Sequence, residues 1–375
     1  MRILVLIHEY PPVGGGGGRV AQDLCQRLAS AGHEIRLLTA QCGDLPAFEE
    51  QGSLIVERLP SWRREPFRAD LKAMAGYVLA ALRRGLELTR RWKPEIIHAH
   101  FAVPAGATAW SLSVLTGIPY ILTAHLGDVP GGVPEKTGKW FRWIFPFTPP
   151  IWRRARSVIA VSGFTRQLAQ QSYPDVPVEV IPNGVDLKAL DPGEIALQDP
   201  PRVVFAGRFM PQKNPLQVVR ALAEVRDLPW QCEMLGDGPL MEAVQQEITA
   251  CGLQARILLR GWVTPEQVLQ AYARSDLLFM PSLSEGLPVA GVQALAMGLA
   301  LVVSRIGGWV DLVQEGQNGV MIPVDSPSGF AGALRDLLGS PEKLYAARQA
   351  SRRLAERFDL DGITEAYERI FRSSL

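Results

Sequence analysis

The sequence predicts an α/β protein built from two doubly wound, parallel-sheet domains, and three observations carry that reading. Short β-branched apolar runs alternate with longer helical patterns, which gives βαβ units and parallel strands. The alternation stops at a polar, Pro-rich stretch and then restarts. The 375 residues are enough for two α/β domains, each with its own core.

In order along the chain, Ile3–Ile7 reads as a strand. His8, Glu9 and the prolines cut this run off before any small-residue cleavage site, so it is a first buried strand and not a signal peptide. Helix Val20–Ser30, strand Ile35–Thr39, strand Ile96–Ala99, helix Ala105–Leu115 and strand Tyr120–Thr123 follow. Strand Ser157–Val161, helix Thr165–Gln171 and strand Val178–Ile181 complete the first half. The segment from Pro182 to Pro201 is the expected linker. The pattern restarts with strand Arg202–Ala206, a helix around Leu216–Val225, Gln231–Leu235, Met241–Cys251, Ile257–Arg260 and Glu266–Ser275. Strand Leu277–Met280, helix Pro288–Met297, Leu301–Ser304 and Gly319–Pro323 follow, and helical segments Ser328–Gly339, Glu342–Arg357 and Gly362–Phe371 close the chain.

Composition excludes several classes. No run approaches the roughly 18 apolar residues of a membrane span, and Cys25, Cys42, Cys232 and Cys251 lack metal-ligand spacing, which points to reduced thiols in a cytoplasmic protein. The net charge of +1 argues against nucleic-acid binding. The charge is uneven: through Lys188 there are 22 Lys/Arg against 16 Asp/Glu, and beyond it 17 against 22, so the halves carry +6 and −5.

Three loops carry candidate chemistry. After the first strand, Pro11-Pro-Val-Gly-Gly-Gly-Gly-Gly18 leads into a helix beginning near Arg19. Backbone N–H groups exposed there suit a phosphate or a sugar, and a flexible turn would use the same glycines. A dinucleotide fingerprint on Gly16, Gly18 and Ala21 fails, because the loop is too long and Ala40-Gln41 stand where an acidic residue is needed. In Phe205-Ala-Gly-Arg-Phe-Met-Pro-Gln-Lys-Asn214, Gly207, Arg208 and Lys213 lie between a strand and a helix. Two cations at that edge clamp a diphosphate and stabilise a departing one, although a solvated surface pair would have the same spacing. In the third loop, Glu285 can accept sugar hydroxyls, and Gly286, Leu287, Pro288 and Val289 open a helix whose N–H groups suit a phosphate; Glu285 as a mere helix cap is the alternative, although glutamate is not a favoured N-cap residue. Gln293 lies two turns further along the same side.

The order of a Gly-Gly loop, Thr123-Ala-His125, Val161-Ser-Gly-Phe-Thr165, Ile181-Pro-Asn-Gly-Val-Asp186, Gly207-Arg208 with Lys213 five residues on, Gly236-Asp-Gly-Pro239 and Ser284-Glu-Gly286 resembles glycosyltransferase family 4. That resemblance implies the GT-B fold, two Rossmann-like domains facing a central cleft. It assigns residues 1–185 to the acceptor and 186–358 to the donor, with a helix of about 360–375 packing back on the first domain. It implies that Arg208 and Lys213 hold the donor diphosphate, that Glu285 contacts the transferred sugar, and that Gly15 and Gly16 bind the donor by lining the acceptor-side loop that faces its phosphates. His125 would be the active-site histidine, a satisfied core histidine at a strand end being the alternative, with His98 and His100 as sheet-edge structure. Gly236, Gly238, Trp262 and Val263 would border the nucleobase. The family's pair of glutamates separated by seven residues becomes Glu285 and Gln293 here, so a charge-assisted bond to the ribose is lost, a difference of about 1–2 kcal/mol. Asp311 after Gly307-Gly308 takes the place of another acidic position.

The implied reaction is transfer of a sugar, with retention, from a nucleoside diphosphate sugar (UDP first, GDP second) to a hydroxyl of a glycan, a glycolipid or a small molecule. It needs no cofactor and no metal, and no Asp-x-Asp motif is present. A nucleotide-sugar epimerase and a non-catalytic sugar-nucleotide binder are the alternatives. Two basic-aromatic clusters, Trp62–Arg68 running on through Lys72, Arg83, Arg84, Arg90, Arg91 and Lys93, and Lys139–Arg154, suit peripheral contact with an anionic membrane on its cytoplasmic face. A solvated helix face with a lid would also account for them.

Overall fold

A computed structural model describes residues 1–66, 69–133 and 141–375. The chain forms two units, Met1–Gly184 together with Leu360–Leu375, and Val185–Asp359. In the first, β1 (Arg2–Leu6), β2 (Glu34–Ala40), β3 (Phe48–Gln51), β4 (Leu54–Leu59), β5 (Ile96–His100), β6 (Tyr120–Ala124), β7 (Ser157–Ala160) and β8 (Val178–Val180) form one sheet. Its order is β3-β4-β2-β1-β5-β6-β7-β8, parallel except where β3 pairs with β4. Both faces of β1 are buried, as an interior parallel strand requires. Leu4 and Leu6 join Tyr77, Leu88, Leu112 and Trp152 on one side, and Ile3, Val5 and Ile7 join Leu24, Leu28, Tyr367 and Phe371 on the other. That second side includes the helix Leu360–Ser374, which brings Ile363, Tyr367, Ile370 and Phe371 to the core at helical spacing.

The second unit contains β9 (Arg202–Ala206), β10 (Gln231–Leu235), β11 (Ile257–Gly261), β12 (Leu277–Met280), β13 (Ala300–Ser304) and β14 (Gly319–Ile322). The order is β11-β10-β9-β12-β13-β14, with every pair parallel. A buried ion pair fixes the entry to this sheet. Arg348 Nη1 lies 2.6 Å from Asp276 Oδ1, and the Asp276 carboxylate also accepts from the backbone N–H groups of Gln198 and Arg202. Burial pushes the Asp276 carboxyl up and the Arg348 guanidinium down.

Three readings of local structure change. The first helix spans Gly16–Ser30 and so takes in three of the glycines expected to precede it. Strands β3 and β4 are additional; β4 carries Glu57 and Arg58, which are buried through ion pairs with Arg84 and Glu49. The helix Leu71–Arg91 stops before Lys93. Phe67, Arg68, Lys139 and Trp140 of the basic-aromatic clusters, and the side chains of Phe141 and Arg142, lie outside the described residues. All four cysteines are free.

Candidate functional site

In the second unit the chain runs from β9 to β10 on one side and returns to β12 on the other, so the loops after β9 and β12 flank the point where strand order reverses. Open α/β sheets bind ligands at that point. Both loops carry candidate residues. Lys213 Nζ lies 2.5 Å from Glu285 Oε1, with the Glu285 side chain 7% exposed and the Lys213 side chain 19% exposed. Arg208 is exposed, and among the described residues nothing pairs with its guanidinium. The helix Val289–Ala296 begins immediately beyond, and its first backbone N–H groups have no partner within the helix. One buried carboxylate, one cation bonded to it, one unengaged cation and one helix N-terminus thus converge at the carboxyl ends of β9 and β12. The two cations and the helix N-terminus are groups of the kind that suit an anion, and the carboxylate is an acceptor of the kind that suits a polyol.

Glycines let these loops approach one another. A Cβ at Gly236 would lie 2.0 Å from the Gly207 carbonyl oxygen, and one at Gly238 would lie 2.5 Å from that of Phe209. The Phe209 N–H donates to the Asp237 carbonyl. Gly236 and Gly238, expected at a nucleobase, therefore have a packing reason of their own: they seat the Arg208 loop. Gly307 and Gly308, after β13, do the same for Glu285. A Cβ on them would stand 1.7 Å from the Glu285 carbonyl oxygen and 1.6 Å from that of Gly286. Leu287 and Pro288 are buried, while Val289, Ala290 and Gln293 form the half-buried side of their helix. The Gln293 amide has no hydrogen-bond partner among the described residues. Trp262 is exposed and Val263 half-buried, after β11 at the far end of the same sheet edge. Asp311 is half-buried in the short helix Trp309–Leu312.

The first unit has its own reversal at β1 and β5. Gly15 and Gly16 are exposed there, Gly15 with open space around it. The loop is shaped by buried arginines: Arg63 donates to the carbonyls of His8 and Pro66, and Arg58 to that of Pro11. A Cβ at Gly17 would meet the Phe101 ring at 2.6 Å, and that ring packs on His125 with centroids 4.4 Å apart. His125 is buried after β6, with Nε2 3.3 Å from His100 Nδ1. Burial lowers its pKa to about 4, which keeps the imidazole neutral near pH 7. His8 and His98 are pushed down to about 3 by burial, and His100 well down also.

Asp128 is a residue that motif reading missed. Its carboxylate accepts from the backbone N–H groups of His125, at 2.8 Å, and Ala102, at 2.5 Å, and so joins the loops after β6 and β5. Burial pushes its pKa up to about 7. The spacing from His125 to Asp128 is that of a carboxylate reaching back over a single turn, and this was the available signal. Among the described residues no group of His, Cys, Asp or Glu is placed to hold a metal ion, and no helix is long and apolar enough to cross a membrane.

The sequence profile of Glycosyltransferase Family 4 matches residues 14–189, and that of Glycosyl transferases group 1 matches residues 200–340. Glycogen synthase of Mycobacterium tuberculosis is 27% identical over 396 residues, covering 99% of this chain and 94% of the relative. Among solved structures, sucrose-phosphate synthase from Thermosynechococcus elongatus superposes with a TM-score of 0.87 at 20% identity, covering 99% of this chain and 98% of that one. Anabaena HepE in complex with UDP-glucose gives 0.78 at 20% identity, with both chains covered completely. These neighbours share the two-domain parallel-sheet fold.

Proposed function

We propose a donor and a mechanism for a chain that belongs to glycosyltransferase family 4, has the GT-B fold and is by that membership a hexosyltransferase-type enzyme. It takes a sugar from a nucleoside diphosphate sugar, UDP before GDP, and passes it with retention to a hydroxyl. The observation that carries this reading is the Lys213–Glu285 pair, with Arg208 unengaged beside it, at the strand-order reversal of the second unit. Arg208 and Lys213 bind the diphosphate, and Glu285 accepts from hydroxyls of the transferred sugar. As the bond from the anomeric carbon to the diphosphate oxygen breaks, its electron pair stays on the diphosphate, where the two cations and the helix N-terminus stabilise it. The acceptor oxygen then bonds to the anomeric carbon from the same face and gives its proton to the departing diphosphate. That HepE was solved with UDP-glucose supports uridine as the base. No metal takes part in this scheme.

The first unit takes the acceptor, and the second the donor. Trp62, Leu79, Trp143 and Phe147 are exposed, at 67, 62, 81 and 74%, and so are Lys72, Arg83 and Arg90 of the same unit. This mixture supports a lipid-linked acceptor reached at an anionic membrane. Co-sedimentation with anionic vesicles at low salt tests the membrane part, and an absence of any vesicle-bound fraction removes it. The donor part is tested by incubating the protein with UDP-, GDP- and ADP-sugars and a panel of acceptors. Nucleoside diphosphate release with a product of retained anomeric configuration is expected, and an inverted product or no release from any donor rejects it.

Gln293, standing where the family carries its second glutamate, is the ground for one second reading, a sugar-nucleotide binder without turnover. Binding without transfer in the wild type, with activity appearing in Gln293→Glu, would establish that alternative.

A further inference from the structure

Lys213 and Glu285 lie in loops that follow different strands, 72 residues apart, and the sheet does not hold those loops together. Strands β9 and β12 are in register only at Val203↔Leu277 and Val204↔Leu278. The ladder thus ends before the carboxyl ends of both strands, where the candidate chemistry begins. One residue rejoins them. The Gln212 carbonyl accepts from the Leu283 N–H at 2.8 Å, and Gln212 Nε2 donates to the Ser284 carbonyl at 2.9 Å. These two bonds engage the residues immediately before Glu285 from the residue immediately before Lys213.

We infer that Gln212 is a positioning residue, which sets the register of Lys213 against Glu285 without touching the donor itself. The inference rests on the proposed donor site. The backbone bond to Leu283 is open to any residue at position 212, whereas the bond to Ser284 needs a side-chain donor at glutamine length. Methionine matches glutamine in length and cannot donate, so Gln212→Met removes that one bond and leaves the half-buried packing in place. Across the strap stands the backbone of Gly307-Gly308, whose Gly308 N–H reaches the Glu285 carbonyl at 3.3 Å. Glu285 is therefore held from both sides, and weakening one side lets its carboxylate drift from the transferred sugar. Arg208 lies outside the strap, so the diphosphate keeps its unengaged cation.

The test compares wild type and Gln212→Met in donor turnover, in the separate dissociation constants of UDP and the UDP-sugar, and in thermal melting. A fall in kcat of about tenfold to a hundredfold is expected, the scale of a 1 Å misplacement at a reacting centre. UDP affinity should hold within about threefold, and the melting midpoint within a few degrees. Turnover within about twofold of wild type overturns the inference, and so does a loss of UDP affinity equal to the loss of kcat. A wild type inert towards every donor would reject the proposed function instead. Binding would then still read the strap, because the extra affinity of a UDP-sugar over UDP should shrink in Gln212→Met, and an unchanged difference overturns the inference.

Discussion

Replacing Gly308 with alanine tests how tightly the Glu285 loop is held. A Cβ at that position would stand 1.6 Å from the Gly286 carbonyl oxygen and 2.7 Å from the Leu287 Cα. Ordinary contact begins at 3.4 Å, so the two backbones must separate by about 1.8 Å. Both obstacles are main chain, and neither can yield by a rotamer change. Because the Trp309 side chain behind Gly308 is fully buried, the Glu285-Gly286 segment is the part that moves. Overpacking of this kind costs about 1–3 kcal/mol, and at about 2–4 °C per kcal/mol for a unit of this size the melting midpoint falls by roughly 2–12 °C. The Glu285 carboxylate moves with its backbone by more than 1 Å, for which a loss of about a hundredfold in kcat is expected. Initial rates of nucleoside diphosphate release, measured below the lowered melting midpoint, read this directly. A folded Gly308→Ala protein with wild-type kcat would refute the claim that Gly307 and Gly308 place Glu285.

Further outcomes follow from other parts of the structure. Arg208→Ala and Lys213→Ala should each reduce turnover by about 10²–10³-fold, the usual loss for one electrostatic donor, in the same release assay. Arg348→Met leaves Asp276 buried without its cation and should lower stability by about 3–5 kcal/mol in denaturant titration. Acidification from pH 7 to 5 should lower the melting midpoint of the first unit. His8, His98, His100 and His125 all have pKa values depressed by burial, so the unfolded chain takes up protons below about pH 6.5 that the folded unit refuses. Asp128 acts in the opposite sense, since its folded pKa of about 7 lies above the unfolded value and adds stability as the pH falls. Four groups outweigh one, and a melting midpoint that stays level or rises over this range contradicts the account.

The central strands were legible because buried parallel strands are nearly continuous apolar runs: Arg202–Ala206 and Leu277–Met280 stand in the structure at the limits read from sequence, as does Gln231–Leu235, whose Cys232, Met234 and Leu235 are buried beside half-buried Glu233. Strand β3, Phe-Glu-Glu-Gln, was not legible, because an exposed edge strand carries no apolar pattern. Strand β4 was hidden by Glu57 and Arg58, polar residues that enter the interior only as members of ion pairs. The start of the first helix was hidden by glycines whose poor helix propensity the tertiary contacts of Gly17 and Gly18 override. In the candidate site, Lys213 and Glu285 could be read as loop residues at strand ends, and the structure brings them to one ion pair. Gln212 was not readable, because its partner Ser284 becomes a neighbour only on folding; for Asp128 only the bond to the Ala102 N–H was hidden in that way, the bond to the His125 N–H lying within one turn of the sequence.

The division of the chain also has a consequence for its synthesis. The first unit consists of Met1–Gly184 and Leu360–Leu375, with the 175 residues of the other unit between them. When the ribosome has finished Gly184, the face of the sheet formed by Ile121, Ile159 and Ile181 has no Ile363, Tyr367 or Phe371 to cover it. At roughly 5–20 residues per second, about 9–35 s pass before that helix emerges. The second unit, being continuous, can close first. The nascent first unit waits over that interval with an apolar face uncovered, which exposes it to aggregation before its final stability can act.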